Sequence, residues 1–306
     1  MAVIMKKVIT IVGPTAIGKT KLSIELAKKL SGEIISGDAM QIYRGLDIGT
    51  AKITNQEMEG IPHHLLDEKS PDENYSVAQY QKTVRAKIDE ISERGKLPII
   101  VGGTGLYVKA VLYDYEFSVA EKPNAQQYEE LTNEEIHALL LSVDPETAKQ
   151  LHPNNRRRVV RAINIYHETN KTKSEVLQKQ EKKLMYDTTL IGLTTERAEL
   201  YERINWRVDK MIADGLIEEV RTLYDAGIPK TAGSIAAIGY KEIYDYLEGN
   251  IDLDTAVELV KRNSRRLAKR QYTWFNNQMD VDWFDVDVDK FDKTVSEVIK
   301  RINHSK

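Results

Sequence analysis

The residues with the clearest chemical potential lie in segment 13–20, which reads GPTAIGKT and fits the pattern G-x-x-x-x-G-K-[ST]. Two glycines let the backbone turn tightly with its N–H groups pointing inward, Lys19 supplies a mobile positive charge, and Thr20 offers a hydroxyl to Mg²⁺. A helix that follows the segment adds its positive N-terminal end. The segment therefore predicts a diphosphate-binding loop made of Gly13, Pro14, Thr15, Ala16, Ile17, Gly18, Lys19 and Thr20.

The elements that must position this loop alternate between strands and helices, as in a parallel sheet covered by helices. One apolar run precedes Gly13, a second at 33–36 ends at Asp38, and a third at 97–101 ends just before Thr104. A capping box at Ser76 predicts a helix between the last two strands. Ligands of such sheets bind outside the carboxyl ends of the strands, so the loop, Asp38 and Thr104 should converge on one site.

The pattern changes from about Glu116 onward. Segment 118–127 is polar and indicates a linker, and helical signals without strands follow it: a capping box from Thr132 to Glu135, a helix start at Asp144-Pro145, an arginine cluster at 156–161 and a Lys-rich helix at 171–183. A strand resumes at 190–193. These features predict a helical insertion at 117–186 within a core formed by 1–116 and 187–306.

Two helices in the last third carry many basic residues. In the first, predicted from Thr195 to Asp214, Arg203, Arg207 and Lys210 recur at helical spacing, and spacing alone favours a solvated basic face. In the second, a capping box from Thr255 to Glu258 predicts the start. No acid follows within its basic stripe, which favours contact with a nucleic-acid phosphate backbone. The stripe consists of Lys261, Arg262, Arg265, Arg266, Lys269 and Arg270. The aromatic residues after it, Tyr272, Trp274 and Phe275, are predicted to be core.

Composition limits the class of protein. The chain has 306 residues, no cysteine and a formal net charge of -3, which excludes disulfides, thiolate metal sites and cysteine nucleophiles and allows polyanion binding only through a local patch. No apolar stretch is long enough to span a membrane and no secretory leader opens the chain, so we expect a cytoplasmic protein. We also expect a monomer.

Two further patterns are given structural interpretations. Adjacent His63 and His64 point to opposite sides of an extended chain and lack a third ligand at useful spacing, so we expect no metal there. Aspartates alternating with apolar residues at 280–289 predict an edge strand with one wet face.

Several segments together resemble one family, the tRNA dimethylallyltransferases, also called tRNA isopentenyltransferases. The resemblance covers nearly the whole chain. Its segments are GPTAIGKT at 13–20, DAMQIYRGLDIGTAK at 38–52, PHHL at 62–65, GGTGLY at 102–107, HPNN with its arginines from 152, IGYKE at 238–242 and AKRQYTWF at 268–275. Two departures stand out: Ala39 occupies a position where the family usually has serine, and the linker after Phe117 is shorter and less basic than usual.

The resemblance implies an α/β fold, with a parallel sheet core like that of P-loop kinases and a helical insertion that grips the anticodon stem-loop. It implies transfer of dimethylallyl from its diphosphate to N6 of adenosine 37 in tRNA, with Mg²⁺ as cofactor. The implied catalytic residues are Asp38 as general base, with Lys19, Thr20 and Arg207 acting on the leaving diphosphate. Together with the stripe, the resemblance implies tRNA contacts by Asp38, Ala39, Met40, Gln41, Thr104, Arg157, Arg158, Val159, Val160, Arg161, Lys261, Arg265, Lys269 and Arg270.

Three other functions share part of this pattern. A small-molecule P-loop kinase has the same loop but little use for a basic stripe on a distant helix. An adenylate isopentenyltransferase transfers the same group to free AMP or ATP and needs no grip on an RNA stem. An RNA-binding module without activity explains the stripe but leaves Asp38, Lys19 and Thr20 without a role.

Overall fold

The structure, a computed structural model, describes residues 5–115, 117, 128–175, 183–287 and 290–304. The chain divides into two compact units: a core unit of Met1–Leu112 with Leu184–Lys306, and an insertion unit of Tyr113–Lys183. The predicted insertion begins and ends a few residues later. The two ends of the insertion unit are joined to each other, because the Asp114 N–H donates to the Lys183 carbonyl at 3.1 Å.

The core unit is built on a six-stranded sheet in which every pair of neighbouring strands is parallel. The strand order is β3-β2-β4-β1-β5-β6. The strands are β1 (Lys7–Val12), β2 (Gly32–Ser36), β3 (His63–His64), β4 (Leu97–Gly102), β5 (Asp187–Thr194) and β6 (Asp282–Asp285). The predicted parallel α/β fold is thus confirmed, and so are the predicted strands at 33–36, 97–101 and 190–193.

The central strands are largely apolar because helices cover both faces of the sheet. Ile9 and Ile11 pack on one side against the helices that carry Leu22, Leu200 and Val295. On the other side a helix carrying Val84 packs over β4. The register pairs Val12 with Gly102 and Ser36 with Val101, so the carboxyl ends of β1, β2 and β4 lie side by side.

The described helices are α1 (Lys19–Leu30), α2 (Val77–Glu93), α3 (Gly105–Leu112), α4 (Asn133–Val143), α5 (Pro145–Gln150), α6 (Arg156–Thr169), α7 (Arg197–Ala213), α8 (Leu216–Asp225), α9 (Tyr240–Leu247), α10 (Leu253–Gln278) and α11 (Phe291–His304). The capping boxes predicted at Ser76 and Thr132 are present, and Asp144 caps the helix that begins at Pro145. The predicted Lys-rich helix at 171–183 lies largely outside the described residues.

The predicted start of α10 is wrong. The helix begins at Leu253, and the carboxylate of Asp252 accepts the N–H of Thr255 at 2.8 Å, so Asp252 rather than Thr255 is the N-cap. Glu258 faces Lys261 at 3.4 Å instead of reaching back to the helix start. The earlier cap therefore adds residues to the amino end of the helix that carries the basic stripe.

The insertion unit has its own small core, which contains Ile136, Leu140, Val159 and Ile163. Helices α4 and α6 contribute these residues. Arg156, at the start of α6, donates to the carbonyls of Tyr128 and Leu131 and so holds the entry of the unit. Across the part of the chain that the structure describes, no helix is both long and apolar enough to cross a membrane.

Candidate active site

The 13–20 loop joins β1 to α1 in a conformation that needs its glycines. Gly13 has φ 144° and Gly18 has φ 104°, while Ala16 adopts the left-handed region at φ 64° without being glycine. A Cβ on Gly13 would lie 2.9 Å from the carbonyl oxygen of Leu193. The ammonium group of Lys19 donates to the carbonyls of Gly13 at 3.0 Å and Pro14 at 2.7 Å. The loop thus closes around its own lysine, with the N-terminus of α1 beside it.

Three predicted catalytic side chains influence one another electrostatically. Burial, followed by the positive charge of Arg207, lowers the pKa of Lys19 to about 7, while Asp38 opposes the shift. Burial also lowers the pKa of Arg207, against the raising effects of Asp38 and Glu57. Since charges shift a pKa strongly only over short distances, the structure brings Lys19, Arg207 and Asp38 into one cluster. We call these three residues the charge cluster.

The Asp38 carboxylate lies in a turn at the end of β2. Its Oδ1 accepts the N–H of Met40 at 2.8 Å. The next residue, Ala39, donates its N–H to the hydroxyl of Thr104 at 3.2 Å, and the Thr104 N–H donates to the Gly37 carbonyl at 3.4 Å. The predicted convergence of the loop, Asp38 and Thr104 is therefore confirmed.

Close packing of backbone at this edge explains a glycine in the Gly102 position. A Cβ there would lie 2.2 Å from the carbonyl oxygen of Gly37.

Beyond Asp38, both polar atoms of the Gln41 carboxamide form hydrogen bonds. Its Oε1 accepts the hydroxyl of Ser36 at 3.0 Å, and its Nε2 donates to the Thr50 carbonyl at 3.3 Å. These bonds hold the turn so that the aspartate stands at a fixed place.

Arg207 lies on the inner side of α7 rather than on a solvated face. Its neighbours on the helix, Ile204 and Val208, are buried in the core. Lys210, one turn nearer the end of the helix, is exposed and pairs with Asp214 at 2.8 Å. The solvated face favoured by spacing alone therefore describes Lys210 but not Arg207.

Sequence reasoning missed Glu219 on α8. Its carboxylate accepts the N–H groups of Asp47, Ile48 and Gly49 at 2.7 to 3.1 Å, and the hydroxyl of Tyr240 also donates to it. The carboxylate thereby anchors the segment that follows the Asp38 turn. The signal in the sequence was weak because an acidic residue near the start of a helix is ordinary on its own.

Sequence reasoning also missed a role for Gln271 on α10. Its Oε1 accepts the N–H of Thr15 at 3.2 Å, and its Nε2 donates to the carbonyl of Gly103 at 3.0 Å. A glutamine next to a basic stripe carries no charge signal, so spacing and composition do not single it out. Of its neighbours that were predicted to be core, Phe275 is fully buried, whereas Tyr272 and Trp274 are half-buried.

The basic stripe is partly neutralised from a neighbouring helix, contrary to the expectation that it is unpaired. Lys261 binds Asp209 of α7 at 2.7 Å, and Arg265 donates to the side-chain oxygen of Asn205. Within the described ranges no ion pair engages the remaining four basic residues, which are exposed. These four are Arg262, Arg266, Lys269 and Arg270.

In the insertion unit the predicted RNA-contacting residues separate by exposure. Arg157 and Arg158 are exposed and Arg161 is half-buried on α6. The side chains of Val159 and Val160 lie in the core of the unit, with exposures of 0% and 7%. Their place in the core follows from helix periodicity. The expectation that these two residues contact tRNA stays a prediction, and burial leaves their backbone rather than their side chains for such a contact.

The adjacent histidines and the aspartate-rich segment near the end of the chain both have structural roles. The Nδ1 of His63 bonds the Ile61 carbonyl at 2.8 Å, and the Nε2 of His64 bonds Glu33 at 2.7 Å. Segment 282–285 forms β6 at the edge of the sheet, as predicted. No group of three or more His, Asp or Glu side chains among the described residues could hold a metal ion by itself.

Comparison with known proteins places this geometry in a family. The model of the IPP transferase family matches residues 41–278. A tRNA dimethylallyltransferase from Geobacillus thermodenitrificans (strain NG80-2) is 57% identical over 304 residues, which cover 97% of this chain and 96% of that protein. Another from Bacillus cereus (strain AH187) is 58% identical over 287 residues, or 92% of this chain and 90% of that protein.

Solved structures agree with the sequence comparison. The full-length tRNA isopentenylpyrophosphate transferase from Bacillus halodurans is 48% identical with a TM-score of 0.75, covering 98% of this chain and 96% of that one. A eukaryotic dimethylallyltransferase described as acting on tRNA is 33% identical with a TM-score of 0.86, covering 98% and 79%. With a family match over most of its length and relatives above half identity, the chain belongs to the IPP transferase family, among the tRNA dimethylallyltransferases.

Proposed function

We propose that the protein transfers a dimethylallyl group from dimethylallyl diphosphate to N6 of adenosine 37 in tRNA and releases diphosphate. The observation that carries the proposal is the charge cluster: one carboxylate and two half-buried cations meet at the carboxyl edge of the sheet, beside a loop shaped for phosphate. The reaction needs both signs, because a proton leaves the amine while negative charge develops on the departing diphosphate.

At the donor end, the C–O bond between the allylic carbon and the diphosphate breaks. The Lys19 ammonium, the backbone N–H groups of the 13–20 loop and the Arg207 guanidinium stabilise the charge that gathers on the leaving oxygens. Because Lys19 and Arg207 are both desolvated, their charges act with little screening. Bound diphosphate also offsets the repulsion between the two cations.

At the acceptor end, a new bond forms between N6 and the allylic carbon. The adenine amine is a weak nucleophile because its lone pair is delocalised into the ring. The Asp38 carboxylate accepts a hydrogen bond from the N6–H and takes its proton as the bond forms. The Oδ1 of Asp38 is occupied by the Met40 N–H, which leaves Oδ2 for the substrate. The base must leave the stack of the anticodon loop to reach this carboxylate.

Mg²⁺ fits this site only as a companion of the diphosphate. Thr20 is exposed at the start of α1, and no cluster of metal-ligating side chains accompanies it among the described residues. Mg²⁺ usually keeps waters and substrate phosphates as ligands and takes one or two ligands from protein. Thr20 would supply the protein ligand, and the bound ion would neutralise charge on the diphosphate.

The tRNA contacts that we propose follow exposure. In the core unit they are Asp38 to Gln41 and Thr104 at the target base, and the exposed members of the stripe at phosphates. In the insertion unit they are Arg157, Arg158 and Arg161. The cytoplasmic location and the monomeric state predicted from the sequence belong to the same proposal.

Incubation of the purified protein with radiolabelled dimethylallyl diphosphate tests the proposed function. Parallel reactions contain unmodified tRNA, AMP or ATP. We expect label in tRNA alone. Label in free nucleotide would identify an adenylate isopentenyltransferase instead, and phosphate transfer from ATP to a small molecule without any labelling would identify a kinase.

A further inference from the structure

One side chain joins the two loops that form the predicted site. Gln271 accepts the Thr15 N–H at 3.2 Å through Oε1 and donates to the Gly103 carbonyl at 3.0 Å through Nε2. Thr15 belongs to the 13–20 loop, and Gly103 precedes Thr104, whose hydroxyl holds the N–H of Ala39. A carboxamide is suited to this position because it donates and accepts at the same end of one side chain.

The fit around this carboxamide is tight. A Cβ added to Gly103 would lie 2.2 Å from Nε2 of Gln271 and 3.4 Å from the carbonyl oxygen of Gly13. The two loops therefore lie close together, and the Gln271 side chain bonds to both of them. The two partners also fix the orientation of the amide, since a flipped amide would face N–H with NH₂ and carbonyl with carbonyl.

The 13–20 loop needs such support because its backbone is strained. Ala16 holds φ 64°, a region that costs non-glycine residues energy, and strained positions persist only where the surroundings hold them. Gln271 holds one side of the loop through Thr15. On the other side the ring of Phe291 packs on Gly18, where a Cβ would lie 3.0 Å from it. Gln271 uses only the Thr15 N–H of the loop and so leaves the later N–H groups available to a ligand.

We propose that Gln271 is a positioning residue that sets the 13–20 loop for diphosphate and fixes it relative to the Asp38 turn. The expected effect of Gln271 on prenyl transfer rests on the proposed function, in which the loop holds the donor and the turn holds the base. Its effect on diphosphate binding does not depend on prenyl transfer. Bound oxygens must meet several N–H groups at once, so a loop that relaxes loses affinity even when every residue that touches the ligand is intact.

Two substitutions remove different parts of the bridge. Gln271→Leu removes both hydrogen bonds at nearly constant size. Gln271→Glu keeps an acceptor for Thr15 but loses the donor to Gly103, and it covers the case in which the leucine variant does not fold. Gln278→Leu is the matched control, because Gln278 lies on the same helix, is exposed, and bonds Lys109 rather than either loop.

The experiment measures binding of inorganic diphosphate with Mg²⁺ by titration calorimetry, beside thermal unfolding and tRNA binding. We expect both Gln271 variants to bind diphosphate roughly 10-fold more weakly, with tRNA affinity unchanged and Gln278→Leu like the wild type. In turnover, KM for dimethylallyl diphosphate should rise in the same proportion. Diphosphate affinity within twofold of the wild type in a folded variant would overturn the proposal, as would a wild type that binds no diphosphate. A wild type that binds diphosphate without modifying tRNA would refute the proposed function alone.

Discussion

At the scale of single residues, the charge cluster combines groups that have opposite tasks and that shift one another's pKa. Asp38 raises the pKa of Lys19 and of Arg207 against the lowering effect of burial. A carboxylate that serves as a base for the amine therefore also favours the charged form of both cations. Substitution of any one member should disturb the others, so the variants below are chosen to change charge while keeping shape.

Asp38→Asn removes the base and preserves the turn. The asparagine oxygen can still accept the Met40 N–H that Oδ1 of Asp38 accepts at 2.8 Å. Turnover should fall by about 10² or more, as expected for loss of a general base, while tRNA affinity changes little. Single-turnover rates at saturating substrates measure this, and a near-normal rate would remove Asp38 from that role.

Arg207→Ala should lower the rate by roughly 10² to 10³. The variant lacks the desolvated positive charge that stabilises the leaving diphosphate in the transition state. Arg207→Lys should recover part of the rate, since it restores the charge without the planar fork. Arg197→Ala, at the exposed start of the same helix, is the control. A defect confined to tRNA binding would return Arg207 to a surface role.

The pKa of Lys19 makes diphosphate binding sensitive to pH near neutrality. Burial and the nearby charge of Arg207 lower this pKa from 10.5 to about 7, so the free protein loses the ammonium charge as pH rises above 7. Affinity for dimethylallyl diphosphate should fall by up to tenfold per pH unit between pH 7 and 9. Lys19→Arg stays charged over this range, so its affinity changes with pH only through titration of the ligand. The ratio of the wild-type affinity to that of this variant therefore isolates the titration of Lys19.

The same shift has a defined sign for stability. Between about pH 7 and 10.5 the unfolded chain binds the Lys19 proton and the folded protein does not, so the free energy of unfolding rises with pH across this window. Both expectations fail together if Lys19 stays charged in the free protein. The ratio of wild-type to Lys19→Arg affinity for dimethylallyl diphosphate would then be flat from pH 7 to 9.

At the scale of elements, the sequence was sufficient where periodicity or a cap was unambiguous. The central strands, the Ser76 cap and the Asp144-Pro145 start were all predicted. The start of α10 was not, because Asp252 and Thr255 both suit an N-cap and only the three-dimensional context selects Asp252. Gln271 and Glu219 were missed for a related reason: their partners lie far away in sequence. Gln271 does lie in the AKRQYTWF segment, but its uncharged side chain gives no sign of a role there.

The basic stripe on α10 illustrates the same limit and yields a prediction. Its spacing was evident in the sequence, but the partner of Lys261 lies on α7 and could not be seen there. Lys269→Ala and Arg270→Ala should each reduce the slope of log K against log salt for tRNA binding by about 0.7 to 0.9. Lys261→Ala should reduce it less, because Asp209 already neutralises that charge. Equal slopes for all three variants and the wild type would exclude the stripe from the RNA interface.

At the scale of the whole molecule, an acidic chain is expected to bind a polyanion through local surfaces. The net charge is -3, yet four exposed basic residues on α10 and two on α6 stand without ion pairs in the described part of the chain. Each unit presents its own basic surface, which suits a long partner better than a free nucleotide. This is why tRNA rather than AMP is the proposed acceptor.

The central claim is that the 13–20 loop holds a prenyl donor although its motif is usually associated with ATP. One reaction containing dimethylallyl diphosphate, ATP, Mg²⁺ and unmodified tRNA tests it directly, with mass spectrometry of the tRNA and quantification of diphosphate and ATP. The account predicts one dimethylallyl group on N6 of adenosine 37 per diphosphate released, with ATP unchanged. Consumption of ATP in step with tRNA modification, or modification at another position, would contradict it.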